Sequence, residues 1–332
     1  VSRDWSSDVC SSDLQAGIST PIQQVEIDSE QSGQRIDNFL LSRLKGVPKS
    51  RIYRILRKGE VRVNKKRIKP VYRLQTGDLV RIPPIRQAEE KPGPHRNSVE
   101  WLERTILYED ELLLVINKPA GIAVHGGSGI HYGVIEALRA LREEATRYEL
   151  AHRLDRATSG LLLIAKRRSA LRSLHDTIRE HRIEKRYLAL VKGKMRKSKT
   201  VLAPLKKNVL RSGERMVRVD PEGKEAESHF RPQLACNSCT LAEIEIITGR
   251  THQIRVHGSH IDHPLAGDER YGDSDFNQQM SNLGLKRLFL HAHSLTFPHP
   301  RDETTVRLEA PLPNELTQVL EQIKEQESCR SF

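Results

Sequence analysis

The stretch His152-Arg153-Leu154-Asp155-Arg156-Ala157-Thr158-Ser159-Gly160 runs straight into Leu161-Leu162-Leu163-Ile164-Ala165. An apolar run of that length, with no polar residue inside it, reads as a strand buried on both faces. The chain must therefore cover a sheet from two sides, and a charged cluster must sit where that strand begins. Asp155 has arginines at 153 and 156. Nearby cations favour the charged form of a carboxylate. Such a group is either a nucleophile or one arm of a structural ion pair, and this motif alone leaves both readings open.

Around that strand the periodicities predict an α+β fold with a mixed, largely antiparallel sheet. Leu112–Ile116 and Tyr187–Val191 read as buried strands. Ala242, Ile244 and Ile246 alternate with Glu243 and Glu245, a strand with one wet face. Val134 to Leu141 and Leu316 to Ile323 carry helical spacing, as do Leu171, Leu174 and Ile178 after a Ser169 cap. Strands follow one another without helical crossovers, which disfavours a parallel sheet. Asp273–Asn282 reads as a surface loop. This larger unit is expected over residues 104–325.

A smaller α/β unit is expected over 34–83. Ile36, Phe39, Leu40 and Leu44 share one helix face, and Pro48 ends that helix. A second helix, capped by Ser50, turns Ile52, Ile55 and Leu56 inward and Arg51, Arg54, Arg57 and Lys58 outward. Gly59 ends it, Val61–Val63 is a strand, and Asn64-Lys65-Lys66 turns the chain. The Pro-rich, charged stretch that follows, 84–103, reads as a linker. Residues 1–14 hold Ser-Ser-Asp twice and no apolar core of a signal peptide; residues 1–24 are expected to be a disordered or non-native leader.

Charge sharpens this division. The net charge is +12. Between Arg35 and Arg86, 16 Lys and Arg stand against 3 Asp and Glu, so this one segment carries the whole excess. A block so poor in compensating acids attracts phosphate or anionic lipid. No apolar run is long enough to span a bilayer, so no membrane partner is expected. Four cysteines are too few for a disulfide framework and suit a reducing cytoplasm. Cys236-x-x-Cys239 has no second pair to complete a zinc site.

Three further patches accompany the Asp155 cluster. Asn117-Lys118-Pro119-Ala120-Gly121 leads into a Gly-rich loop with His125, Gly126 and Gly127, but lacks the P-loop pattern. Lys185-Arg186-Tyr187 opens a buried strand. Thr248-Gly249-Arg250-Thr251-His252-Gln253-Ile254-Arg255-Val256-His257, at a strand end, suggests an anion site. Its histidines lack the spacing and companion ligands of a metal centre, so no metal is expected.

Arg35-Ile36-Asp37-Asn38-Phe39-Leu40, Ser50-Arg51 and Gly59-x-Val61-x-Val63-Asn64 resemble the S4 RNA-binding domain. Taken together, the patches over 25–325 resemble the RluA family of pseudouridine synthases. Within it the order S4 domain, Pro-rich linker and catalytic unit is similar to members that modify large-subunit (23S) rRNA. Gly46-Val47-Pro48-Lys49-Ser50 and Ser212-Gly213-Glu214-Arg215 belong to that similarity. The family usually has Asp where this chain has Ala157.

The resemblance implies an isomerase without a cofactor that converts three uridines of 23S rRNA, or of a large-subunit precursor, to pseudouridine. Asp155 matches the nucleophile. Tyr187 matches the residue that stacks on the base, and Arg255 the arginine that pairs with Asp155, with Arg250 as its rival. Arg153 matches the side chain that fills the space of the flipped base. Ile254, Arg250 and the loop His125-Gly126-Gly127 line or support the pocket. Arg51, Arg54, Arg57, Lys58, Lys65, Lys66 and Arg67 are expected on RNA phosphates. The rival readings are a non-catalytic RNA-binding protein, a metal-dependent nuclease, and a synthase acting on another rRNA loop or on tRNA. With no interface stripe visible, a cytoplasmic monomer is expected.

Overall fold

The structure, a computed structural model, describes residues 18–19, 21–44, 46–87, 94–126, 131–209 and 215–332. The chain divides into two compact units, Val1–Gly93 and Pro94–Phe332. Residues 1–14, Gly127 and Ser212-Gly213-Glu214 lie outside the described residues.

In the first unit two helices pack beside a four-stranded antiparallel sheet. The helix Ile36–Arg43 buries Ile36, Phe39 and Leu40. The helix Lys49–Lys58 buries Ile52, Ile55 and Leu56. Pro48 stands before its first turn; Ser50 lies inside the helix and is not its cap. Proline's fixed φ suits the start of a helix, where its missing N–H costs nothing. Gly59 ends this helix in the left-handed region (φ 71°). Its bare Cα also lets the Arg67 side chain lie against it. The strands Arg62–Val63 and Lys66–Arg67 pair around Asn64 and Lys65, both at positive φ, which is the geometry of a tight two-residue hairpin. Asn64 holds the turn by donating to Asp78 Oδ1 (2.8 Å) and accepting from the Leu79 N–H (2.9 Å). Gln23–Glu26, whose first two residues fall in the expected leader 1–24, is a paired strand of this sheet. Its alternation places Val25 against the core while Gln24 and Glu26 face water.

The second unit is α+β. Its main sheet orders Ile106–Glu109, Leu113–Lys118, Ser159–Ala165, Leu290–Pro298, Glu184–Lys192, Cys239–Ile246, Glu227–Ala235 and Lys199–Leu202 side by side. Neighbours are antiparallel except Ser159–Ala165 with Leu290–Pro298, which run parallel. The apolar run behind Asp155 is buried because both faces are covered. Leu162 and Ile164 pack with Val134, Ile135 and Leu138 of the helix Val134–Leu141. Leu161 and Leu163 pack with Leu171 and Leu174 of the helix Arg168–Arg179. Each Leu so buried contributes about 1.5–3 kcal/mol.

Other expectations change. Residues 96–103 are not linker: Arg96–Val99 is helical, and Val99 and Leu102 are core. Ser169 lies within its helix, which Arg167 precedes. Ser274–Asn282 is a helix, with Asp273 Oδ1 accepting from the Phe276 N–H (2.8 Å) as cap. Glu243 and Glu245 do not simply face water; Arg231 donates to Glu245 (2.8 Å) and Arg186 to Glu243 (3.5 Å) across the strands. Cys236 is bonded to Cys329, pinning the C-terminal segment to the sheet, so the sparse cysteines do form a disulfide. Cys239 is free and buried, and burial pushes its thiol up to about 11. Among the described residues no helix is long and apolar enough to cross a membrane.

Candidate active site

The site forms where the buried strand Ser159–Ala165 begins. Gly160 pairs with Lys118 on one side and Ala292 on the other. At φ 109° it lies so close to the Ala292 backbone that a Cβ would collide with the carbonyl. That close approach starts the strand and leaves residues 155–158 as a turn, closed by the Thr158 N–H donating to the Asp155 carbonyl (3.1 Å).

A second turn, 118–122, clamps the first. The Gly121 N–H donates to the Arg156 carbonyl (2.8 Å), and Arg156 Nε returns a bond to the Gly121 carbonyl (2.9 Å). Lys118 is fully buried. Its Nζ donates to the carbonyls of Pro119 (2.8 Å), Ile122 (2.9 Å) and Arg156 (3.4 Å). Burial pushes this amine down to about 7, against the pull of Asp155 and with help from Arg287. What the Asn117-Lys118-Pro119 patch provides here is a buried donor that ties the two turns together.

Around Asp155 a pocket opens, lined by Arg153, Leu154, Thr158, Tyr187, Ile246, Gly249, Arg250, His252, Gln253, Ile254, Arg255 and Leu290. Tyr187 is buried, and burial, then the Asp155 charge, push its phenol well above the ordinary value, so it stays protonated. Arg255 Nη1 lies 3.8 Å from Asp155 Oδ2. Arg250 instead donates through Nε to the Glu225 carbonyl (2.9 Å). Of the two arginines, the structure brings Arg255 to the carboxylate. Yet the fork of Arg255 belongs to Asp268: Nε–Oδ2 and Nη2–Oδ1 are both 2.7 Å. The Tyr271 ring lies 5.0 Å from the guanidinium. Asp268 is buried, which would raise its pKa; Arg255 and the N–H groups of Tyr271 and Arg270 hold it below the usual range.

Residues 253–260 are a helix that follows the end of the strand Cys239–Ile246. The helix is fastened by Gln253, which uses its whole amide. Its Oε1 accepts from Thr248 Oγ1 (2.7 Å) and the Arg250 N–H (3.0 Å); its Nε2 donates to the Glu227 carbonyl (2.8 Å) and Ser228 Oγ (2.9 Å). His257 is fully buried. Its Nε2 lies 3.0 Å from the Ala203 carbonyl, so Nε2 carries the proton and Nδ1 accepts from Ser228 Oγ (2.9 Å). That histidine is structural.

Arg153, Ile254 and Arg250 line the pocket. His125 and Gly126 do not line it; Glu136 secures their loop by accepting from the Gly126 and Gly133 N–H groups (2.9 and 2.8 Å). Ala157 is half-buried against the main core. Lys118, His252, Asp268 and Tyr271 carry geometry that residue types alone did not assign. His252 stood inside a noted motif, but only its meeting in space with Asp155 and Tyr271 gives it a part. In the other unit Arg54, Arg57, Lys58, Lys65, Lys66 and Arg67 are exposed and Arg51 half-buried.

Comparison with known proteins places this geometry. Residues 112–260 match the RNA pseudouridylate synthase family and residues 34–80 the S4 domain. The chain is 56% identical over 315 residues to "Ribosomal large subunit pseudouridine synthase C" of Pasteurella multocida, covering 94% of this chain and 97% of that one. It is 56% identical over 309 residues to the protein of that name from Escherichia coli (strain K12), covering 91% and 97%. Among solved structures, "Human RNA Pseudouridylate Synthase Domain Containing 4" superposes with a TM-score of 0.57 at 26% identity, over 69% of this chain and 96% of that one. A relative 56% identical over nearly the whole of both chains shows the family, and the chain belongs to the RNA pseudouridylate synthase family.

Proposed function

We propose that this synthase converts uridines of the large-subunit (23S) rRNA to pseudouridine, with Asp155 as the nucleophile acting on the ribose. Asp155 bonds to C1′ as the N1–C1′ bond breaks, the uracil turns within the pocket, C5 joins C1′ as the Asp155–C1′ bond breaks, and the C5 proton is lost while N1 gains one. The exchange conserves atoms and oxidation state, so it needs no co-reactant. One observation carries this reading: Asp155 and the buried Tyr187 line the same pocket, with Arg255 at 3.8 Å from the carboxylate. A carboxylate so placed is available for attack. A base stacked on Tyr187 gains about 1–3 kcal/mol.

A paired uridine cannot reach such a pocket, so it must leave its stack, and Arg153 at the rim fills the vacated space. The names of the relatives support the large-subunit target, and the family resemblance implies three separated uridines. Arg51, Arg54, Arg57, Lys58, Lys65, Lys66 and Arg67 hold the RNA by its phosphates, and we place the reaction in the cytoplasm.

The test is to map pseudouridine in rRNA from cells lacking the protein, complemented with the wild-type chain or with Asp155→Asn. The wild type should restore modification of 23S rRNA and Asp155→Asn should not. Modification restored by Asp155→Asn would end its assignment as nucleophile. Restoration confined to tRNA or another rRNA would redirect the target.

A further inference from the structure

We infer that His252 is a positioning residue: its Nε2–H anchors Oδ2 of Asp155 and leaves Oδ1 free for the nucleotide. The inference rests on Asp155 being the reacting carboxylate.

Three observations meet at this side chain. His252 sits at φ 54°, a left-handed conformation uncommon for any residue but glycine, directly before the helix Gln253–His260. Backbone strain of this sort is retained where the surroundings over-determine it. Its Nε2 lies 3.8 Å from Asp155 Oδ2, the same oxygen that faces Arg255 Nη1 at 3.8 Å. Two groups therefore converge on one carboxylate oxygen. Contacts of this length in substrate-free sites commonly shorten when substrate binds.

The third observation fixes the proton. His252 Nδ1 lies 2.8 Å from the Tyr271 hydroxyl. That hydroxyl also accepts from the Val217 N–H (3.0 Å). Its single proton can be donated to Nδ1, or Nδ1–H can donate to it. In the neutral ring, which burial favours, the second choice would leave a lone pair on Nε2 facing the carboxylate, which is repulsive. The first puts the proton on Nε2, aimed at Oδ2. The chain of donors is then Val217 N–H to Tyr271, Tyr271 to His252, His252 to Asp155. Tyr271 also stacks on Arg255, so one tyrosine orders both groups that face Oδ2.

The test compares His252→Asn with His252→Gln in the full-length chain, by single-turnover pseudouridine formation at saturating RNA. Asn tolerates the left-handed backbone, but its amide is too short to reach Asp155. Gln places an N–H near the lost Nε2. His252→Asn should lower the rate constant about ten- to hundredfold, the worth of one hydrogen bond to a charged group, with RNA affinity unchanged. His252→Gln should recover most of the rate. A wild-type rate for His252→Asn, or equal impairment of both variants, overturns the inference. Should His252→Asn not fold, Tyr271→Phe decides, since it keeps the ring over Arg255 and removes only the hydroxyl. A several-fold loss supports the relay and an unchanged rate overturns it. Asp155→Asn, assayed alongside, separates the two readings. If it keeps turnover, the nucleophile assignment fails and His252 with it; if it is inactive while His252→Asn is unimpaired, only the role of His252 fails.

Discussion

Arg255 serves two carboxylates, and unequally. Its two-toothed bond goes to Asp268, whose side chain is fully buried, while Asp155 receives only Nη1 at a longer distance. Removing one partner of a buried pair strands the other charge. Arg255→Ala should therefore lower the unfolding free energy by about 3–5 kcal/mol, measured by urea titration, besides any loss of activity. A variant as stable as the wild type would show that Asp268 finds another partner. The family resemblance brought Arg255 and Arg250 forward together, because both stand in a single motif. It could not show that Arg250 turns to a backbone carbonyl and Arg255 inward, since that depends on the helix beginning at Gln253. A buried acid such as Asp268 has no local signature either; its partner is found by folding, not by periodicity.

At the scale of elements, apolar periodicity was readable wherever burial was one-sided or complete. The strand after Gly160, the helices at 36, 134 and 316, and the strand around Tyr187 all follow from it. It failed for Ser274–Asn282, where only Phe276 and Met280 are buried and polar residues dominate; the Asp273 cap was the missed signal. It failed at Ser50 and Ser169 because both helices begin earlier, at Lys49 and Arg168.

The parallel join of Ser159–Ala165 to Leu290–Pro298 was also out of reach, since neither strand marks its neighbour. That join is held by a buried network. Arg287 donates to Ser159 Oγ (3.2 Å), and Ser159 Oγ lies 2.9 Å from His291 Nδ1. His291 Nε2 donates to the Ala310 carbonyl (3.2 Å). Burial pushes His291 down to about 4 from an unfolded value near 6.5. The unfolded chain therefore binds the extra proton first. The stabilisation is complete above about pH 6.5, shrinks as pH falls towards 4, and amounts to at most about 3 kcal/mol. Unfolding followed from pH 7 to 4 should show a shallower decline for His291→Gln than for the wild type. Parallel curves would mean that His291 does not titrate across that window.

At the scale of the whole molecule, charge is segregated more finely than its net value suggests. The segment Arg35–Arg86 exceeds the total of +12 by one, so all other residues nearly balance. That balance is itself uneven: from Lys192 to Arg218, ten Lys and Arg stand against one acid. A fold-class reading survives without this detail, but RNA binding does not, because affinity for phosphate follows where cations are placed. In the first unit the cations of the helix Lys49–Lys58 lie opposite its buried Ile52, Ile55 and Leu56, so they can be changed without touching the core. Arg54, Arg57 and Lys58 are exposed. Replacing all three by Gln in the full-length chain should leave the thermal unfolding temperature nearly unchanged. If each meets a phosphate, the slope of log K against log salt should become shallower by about two to three, at roughly 0.7–0.9 per contact. The slope should not vanish, because the remaining cations, including those of 192–218, are untouched. Filter binding or fluorescence anisotropy over a salt series measures it. An unchanged slope would remove this helix from the RNA surface, whereas a shallower slope with an unchanged single-turnover rate at saturating RNA would assign the helix to binding and leave the chemistry to the pocket around Asp155.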